Sequence, residues 1–100
     1  MIEVRPVALK GGVAIGVMVE LPKARDLSIS TAKGFVACGL YDVAMLDALH
    51  PERRVVGARV IGVREIDDIL DAKVRDCTAA AQDLGVRPGM TGREALQLML

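Results

Sequence analysis

The segment from Val13 to Leu21 constrains the fold more than any other part of the sequence. Every second position holds a large aliphatic residue: Val13, Ile15, Val17, Val19 and Leu21. The positions between them are small or flexible and apolar until Glu20. Strict alternation of this kind is typical of a β-strand. Because a strand with one face in water should carry polar residues there, this strand should be covered on both faces.

The second face of this strand, formed by Ala14, Gly16 and Met18, needs a partner. The chain's own helices and loops are one possible cover, and another subunit is the other. A chain of 100 residues that is 52% apolar has few elements left to cover two faces of a sheet. We therefore predict that the second face packs against a copy of the same chain, since most soluble oligomers are homo-oligomers.

Composition argues against several classes of partner. Thirteen basic and thirteen acidic residues cancel without long runs of like charge, and Phe35 and Tyr41 are the only aromatic residues. These features predict no nucleic-acid partner. The longest nearly uncharged apolar run is too short to span a bilayer, so we predict no membrane partner.

Cysteine and histidine usage bears on the compartment and on metal binding. Two cysteines without a CxxC spacing predict reduced thiols and a cytoplasmic location. One histidine and two separated cysteines do not form a structural zinc set, so we predict no metal site. The sequence contains no Walker or GxGxxG pattern, so we predict no cofactor.

The first forty residues predict an antiparallel meander. Residues 2–9 form a strand that should lie at an edge of the sheet or have an irregularity at Pro6, because proline cannot donate to a ladder. Lys10–Gly12 is a tight-turn signal that leads into the alternating strand. Two further strands follow at Leu27–Thr31 and Phe35–Cys38.

The residues after position 40 predict helices and one more strand. Asp42 is placed to cap a short helix, and Val55–Val63 forms a fifth strand that pairs parallel to the fourth or inserts elsewhere. From residue 65 to 84 apolar residues recur at intervals of three and four, which predicts one helix or two that break near residue 72. Thr91 and Glu94 have the spacing of a capping box that starts the last helix.

Several motifs along the chain resemble those of the YunC-like family. They are Leu21-Pro22-Lys23, Lys33-Gly34-Phe35, Cys38-Gly39, Gly57-Ala58-Arg59, Gly62-Val63-Arg64, Ile69-Leu70-Asp71-Ala72, Leu84-Gly85 and the tail Gly89–Leu96. The resemblance covers essentially the full length. It implies an α+β domain whose N-terminal β region mediates tetramerisation. It supplies no reaction, cofactor or catalytic residue.

We therefore predict one α+β domain over residues 1–100. It contains an antiparallel meander of about four strands, a fifth strand and three to four helices. Residues 1–40 are mainly β and form the oligomerisation region. Residues 41–100 are mainly helical with one strand.

Cys38 is a candidate nucleophile because it precedes a helix start, where amide dipoles lower the pKa of a thiol. Catalysis would require a base, supplied by Tyr41, Asp42 or a neighbouring subunit. The sole histidine, His50, cannot be the base for Cys38 within one helix unit, because it lies about 12 Å from Asp42 along the helix axis. The alternative is an ordinary buried cysteine of a strand.

The turn from Gly39 to Asp42 is a candidate anion site, because free backbone amides at a helix start attract phosphate or carboxylate. The predicted ligand-binding residues are Lys33, Gly34, Gly39, Tyr41, Asp42, Arg59 and Arg64. The structural alternatives are an N-cap role for Asp42 and ion pairs for the two arginines.

The function that these features favour is that of a small cytoplasmic homo-oligomer, an assembly protein or a binder of a small anion. Its N-terminal β region would be the interface between copies. The alternative is a small enzyme that uses Cys38 as nucleophile near a subunit interface. The predicted partner is another copy of the chain, and the small-molecule ligand is not identified.

Overall fold

The computed structural model describes residues 1–100 and contains one six-stranded sheet with four helices. The strands are β1 (Ile2–Leu9), β2 (Gly12–Leu21), β3 (Ala24–Ser30), β4 (Phe35–Ala37), β5 (Gly57–Val60) and β6 (Val74–Cys77). The helices are α1 (Val43–Leu49), α2 (Asp68–Asp71), α3 (Ala79–Asp83) and α4 (Gly92–Leu98), with a 3₁₀ turn at Pro51–Arg53. No helix is long and apolar enough to cross a membrane.

The strands lie in the sheet in the same order as in the chain, from β1 to β6. The first four form an antiparallel meander, β4 and β5 pair in parallel, and β5 and β6 are antiparallel. The predicted α+β class and meander are confirmed. The predicted strand at Val55–Val63 is shorter, at Gly57–Val60, and it pairs parallel to β4.

Residues 65–84 differ most from expectation, because a strand stands where a continuous helical pattern was predicted. Val74–Cys77 is β6, which pairs with β5, and it separates the four-residue α2 from the five-residue α3. The second half of the chain thus holds two strands instead of one. The apolar spacing was misleading because these short elements all turn apolar residues toward the same core.

The helix caps follow their local signals. The Thr91 hydroxyl accepts from the Glu94 backbone N–H at 3.1 Å, and the Glu94 carboxylate accepts from the Thr91 backbone N–H at 3.2 Å. This reciprocal pair is the predicted capping box of α4. Capping therefore depends on residues three positions apart and needs no tertiary context.

The two faces of β2 have the reverse of their predicted roles. Ala14 and Met18 are buried by the chain's own residues, and a Cβ on Gly16 would lie 2.6 Å from Ile66 Cγ2. The prediction that this face meets another subunit is wrong. We call it the inner face of the sheet. The opposite, outer face carries the large aliphatic residues, of which Ile15 is 53% exposed.

The hydrophobic core lies between the inner face and the segments that follow β5. Its largest wholly buried members from these segments and the C-terminal helix region are Ile66, Ile69, Leu96 and Met99. They pack against Leu27 and other inner-face residues of the central strands. The helices therefore cover one face of the N-terminal strands and leave the other open.

β1 is an edge strand, as the position of Pro6 predicts. The Glu20 N–H donates to the Met1 carbonyl, and bonded pairs alternate along an antiparallel ladder. The backbone groups of even-numbered β1 residues therefore point away from β2. Pro6 lies at one of these positions, so its missing N–H removes no bond from the ladder.

Candidate functional site

The predicted ligand-binding residues separate into two groups at opposite ends of the sheet. Parallel pairing of β4 and β5 brings the segments that follow these strands to the same end, and with them Gly39, Tyr41 and Asp42. Arg64 lies at this end too, after β5. Lys33 and Gly34 lie in the β3–β4 turn at the other end.

The group at the β3–β4 turn has a structural explanation. Backbone N–H groups of Lys33 and Gly34 both donate to the Thr31 hydroxyl, at 3.2 Å each. A Cβ on Gly34 would overlap the carbonyl oxygen of Val56. Glycine is therefore required for close approach of the two segments, and the turn does not meet the other predicted ligands.

Cys38 is 4% exposed and belongs to the hydrophobic core. Its sulfur accepts from the Leu27 N–H at 3.4 Å, and the thiol contacts the Arg25 carbonyl oxygen at 3.8 Å. A nucleophile must reach its substrate, so this burial weighs against a catalytic thiol. Its role as a nucleophile stays a prediction.

Tyr41 and Asp26 form a polar pair beside the open part of the outer face. The Tyr41 hydroxyl donates to Asp26 Oδ2 at 3.4 Å, and the tyrosine ring lies 6.1 Å from the Phe35 ring. Burial raises the pKa of the Tyr41 phenol, and the Asp26 charge and hydrogen bond raise it further. Asp26 was absent from the predicted set, because the sequence placed it in a connection before the third strand.

Arg59 is bound by Asp76 through two hydrogen bonds. Its Nε donates to Asp76 Oδ1 at 2.9 Å and its Nη2 donates to Oδ2 at 2.6 Å. The hydrogen bonds to Asp76 raise the pKa of Arg59, so the guanidinium stays charged. A guanidinium held in this bidentate way has fewer free N–H donors and less uncompensated charge for binding an anion. Asp76 was missed because its segment was predicted as helix.

Asp42 caps α1, and its Oδ1 accepts from the Met45 N–H at 3.2 Å. Asp42 also adds a negative charge near Arg59. Asp26 and Asp76 bring the carboxylates that border this region to three, and Arg59, the arginine beside them, is already paired with Asp76. This balance is unfavourable for an anion at the Gly39–Asp42 turn, where anion binding stays a prediction. No group of three acidic, cysteine or histidine side chains converges as metal ligands do.

The outer face of β1 and β2 is an apolar surface in the isolated chain. Ile2 is 69% exposed, Val4 64% and Val13 65%. The full set on this face is Ile2, Val4, Pro6 and Ala8 from β1 and Val13, Ile15, Val17, Val19 and Leu21 from β2. The neighbouring strand β3 turns Asp26, Ser28 and Ser30 to the same side. The polar pair of Tyr41 and Asp26 thus lies at the border of the apolar surface.

We expect Tyr41, the sole tyrosine, to titrate above the ordinary tyrosine pKa of about 10. The folded state holds this proton more tightly than the unfolded state does. The associated stability is therefore complete below the unfolded pKa and is lost as the pH rises through the folded pKa. Tyrosinate absorbance measured against pH gives the midpoint. Asp26→Asn should lower it, and a wild-type midpoint equal to that in denaturant would contradict the prediction.

Three comparisons place the chain among proteins without an assigned activity. A family model described as "Domain of unknown function (DUF1805)" matches residues 37–99. The uncharacterized protein YunC of Bacillus subtilis (strain 168) is 41% identical over 100 residues, which cover 100% of this chain and 99% of that protein. The crystal structure of TA1206, a protein of unknown function from Thermoplasma acidophilum, aligns with a TM-score of 0.89 at 27% identity. It covers 100% of this chain and 94% of that one.

Proposed function

The chain belongs to the DUF1805 family of YunC-like proteins, whose description assigns no activity, and we propose from its surface that it is a homo-oligomeric assembly protein. Copies pack through the outer face of β1 and β2. The observation that carries the proposal is the absence of any polar residue from this face in both strands. A sheet face that stays in water alternates with polar residues, and large exposed apolar patches are typical of protein interfaces.

The copies meet face to face and do not extend the sheet at its edge. Pro6 lies among the outward-pointing backbone groups of β1 and has no N–H to donate. A strand added there would lack a ladder bond at the centre of the edge. Sheet-on-sheet packing at about 10 Å instead buries the large aliphatic side chains of both copies.

A tetramer, which the family resemblance implies, needs a second contact surface. One self-complementary face joins two copies, and a second face is required to join two pairs. On α1, Met45 and Leu49 are four residues apart and are 44% and 62% exposed, and Leu40 nearby is 57% exposed. We propose these three residues as the second contact.

We also propose a cytoplasmic location. Cys38 and Cys77 are both free thiols, as expected of a protein kept in a reducing compartment. Fractionation of cells that express the tagged protein would test the location independently of its assembly state.

The test of assembly is the mass of the protein in solution. Ile15→Asp places a charge at the centre of the apolar surface and should break the outer-face contact. At micromolar concentration a tetramer should then become the dimer joined by the second contact, and a dimer should become single chains. Ile61→Asp is the matched control, because Ile61 is 49% exposed but lies outside the proposed contacts. Sedimentation velocity gives the masses, and circular dichroism confirms that each variant is folded.

Three results would overturn the proposal. They are sedimentation of the wild-type protein as single chains, an unchanged oligomeric mass for Ile15→Asp, and a loss of mass by Ile61→Asp as complete as that by Ile15→Asp. The last result would show that assembly does not depend on the outer face of β1 and β2.

A further inference from the structure

A cleft of about 490 Å³ lies between the β2–β3 turn and the segment that follows β5. It is lined by Glu20, Leu21, Lys23, Ala24, Arg25, Val63, Arg64 and Glu65. This volume falls in the range of small-ligand sites, which runs from about 300 to 1,000 Å³. Only Arg64 belongs to the ligand-binding set predicted from sequence.

The three cations of the cleft are not in ion pairs. Lys23, Arg25 and Arg64 have no carboxylate within 4.0 Å, whereas Arg5, Arg54 and Arg59 are paired with acidic groups. Arg25 Nη1 donates to the Arg64 carbonyl oxygen at 3.0 Å. This bond joins the two walls and orients a guanidinium whose other N–H groups are free for a ligand.

The two carboxylates of the cleft have positive neighbours outside it. Glu20 Oε2 lies 4.0 Å from the N-terminal ammonium group. Glu65 also borders an adjoining cleft, where Arg5 is itself paired with Glu3 and Asp67. Three cations against two carboxylates give the lining of the cleft one net positive charge, which favours an anion.

The backbone at Lys23 is unusual and supports a role in binding. Leu21 is opposite Ala24 in the ladder, so Pro22 and Lys23 form a two-residue turn, and Lys23 has a φ of +62°. This left-handed conformation favours glycine or asparagine over lysine. Residues in such conformations cluster at functional sites, and Lys23 lines the cleft.

The opposite wall is held rigidly. Gly62, two residues after the end of β5, takes a φ of +78°, and the chain then continues to α2. Asp68 Oδ2 accepts from the backbone N–H groups of Arg64 and Glu65, at 3.0 and 3.1 Å. These bonds fix the backbone at Arg64 before any ligand arrives, which lowers the entropic cost of binding.

We propose that this cleft binds the phosphate monoester of a small polyhydroxylated molecule. Arginine forks match phosphate oxygens bidentately, and Lys23 adds a point charge. Glu20 and Glu65 accept hydrogen bonds from hydroxyl groups, whereas Leu21 and Val63 contact the carbon skeleton.

Binding at the cleft is separate from assembly. Glu20 and Arg25 are opposite each other on the sheet face that carries Met18 and Leu27, which is the inner face. The proposed interface between copies lies on the outer face, and of its residues only Leu21, at the end of β2, also lines the cleft. Ile15→Asp should therefore retain ligand binding even where it abolishes oligomerisation, so the two proposals can fail independently.

Isothermal titration calorimetry with ribose 5-phosphate, inorganic phosphate and ribose tests the proposal. We expect one ribose 5-phosphate per chain, weaker binding of phosphate and no binding of ribose. Arg64→Gln should weaken the binding of ribose 5-phosphate at least about tenfold, since it removes a charge-assisted contact. Arg93→Gln is the matched control, because Arg93 is an exposed arginine of α4 outside the cleft.

Lys23→Gly gives a second readout. It should weaken ribose 5-phosphate binding and raise the Tm of the free protein, because glycine relieves the strained φ. Absence of ribose 5-phosphate binding, equal affinity for phosphate and ribose 5-phosphate, or equal weakening by Arg93→Gln and Arg64→Gln would each overturn the proposal. A Lys23→Gly variant that binds as tightly as the wild type would do the same.

Discussion

We expect the Gly92→Ala variant to lose about 3 kcal/mol of the free energy of unfolding, a large part of what a domain of this size has. Gly92 is the buried first residue of α4, and its N–H donates to the Ala72 carbonyl at 2.8 Å. An added Cβ would overlap the carbonyl oxygen of Ile69 in α2. Because the obstacle is backbone, side-chain rotation cannot relieve it, and α2 must move away from α4.

Urea denaturation of Gly92→Ala and of Gly39→Ala measures this effect against a matched control. Gly39 also lacks a positive φ, and its added Cβ would meet only Ile61 Cγ2, at 3.4 Å. We expect the control to stay within about 0.5 kcal/mol of the wild type. Equal midpoints for Gly92→Ala and the wild type would show that α2 and α4 do not approach as closely as described.

The second large effect is expected for Thr78→Val, with a loss of about 2 to 4 kcal/mol. Thr78 is wholly buried, and its hydroxyl accepts from the Gly57 N–H at 3.1 Å and from the Ala81 N–H at 3.2 Å. Valine has nearly the same shape but leaves both donors without a partner in the interior. The variant also loses the N-cap of α3.

Thr78→Ser keeps the hydroxyl and removes only a methyl group, so it separates hydrogen bonding from packing. We expect serine to cost about 1 kcal/mol, well below the cost of valine. Chemical denaturation followed by circular dichroism gives both values. A valine variant as stable as the serine variant would contradict the importance of the two hydrogen bonds.

Local signals in the sequence were reliable where their physical cause was also local. Thr91 and Glu94 satisfy each other's backbone groups within one turn of chain, and Asp42 caps α1 in the same way. Pro6 is disfavoured in a central strand because it lacks the N–H that would donate to the ladder. None of these predictions needed knowledge of distant residues.

The choice of buried face on β2 could not be made from the alternation alone. Both faces are apolar, and residue size points toward the wrong one. Gly16 is buried because Ile66 packs directly on the strand, so close packing of the segment before α2 requires a small face. That requirement comes from a segment fifty positions away, and no local pattern records it.

The misassigned strand also hid part of the candidate site. Asp76 meets Arg59 only because β6 pairs with β5, so a helical interpretation of this segment separates the two residues. Asp26 meets Tyr41 only because β3 lies beside β4. The clustering of loops at one end of the sheet likewise depends on the parallel pairing of β4 and β5, which the sequence left open.

The match between strand order and chain order has a consequence for how the protein forms during synthesis. Each new strand can join its predecessor as it leaves the ribosome, with no earlier strand displaced. The helix that is synthesised last nevertheless holds the first hairpin in place. The Gln97 amide side chain accepts from the Lys10 N–H and donates to the Lys10 carbonyl, across 87 residues. A nascent chain can thus pair its strands in order, but the contact that anchors its first turn to the rest of the domain forms only after α4 has been synthesised.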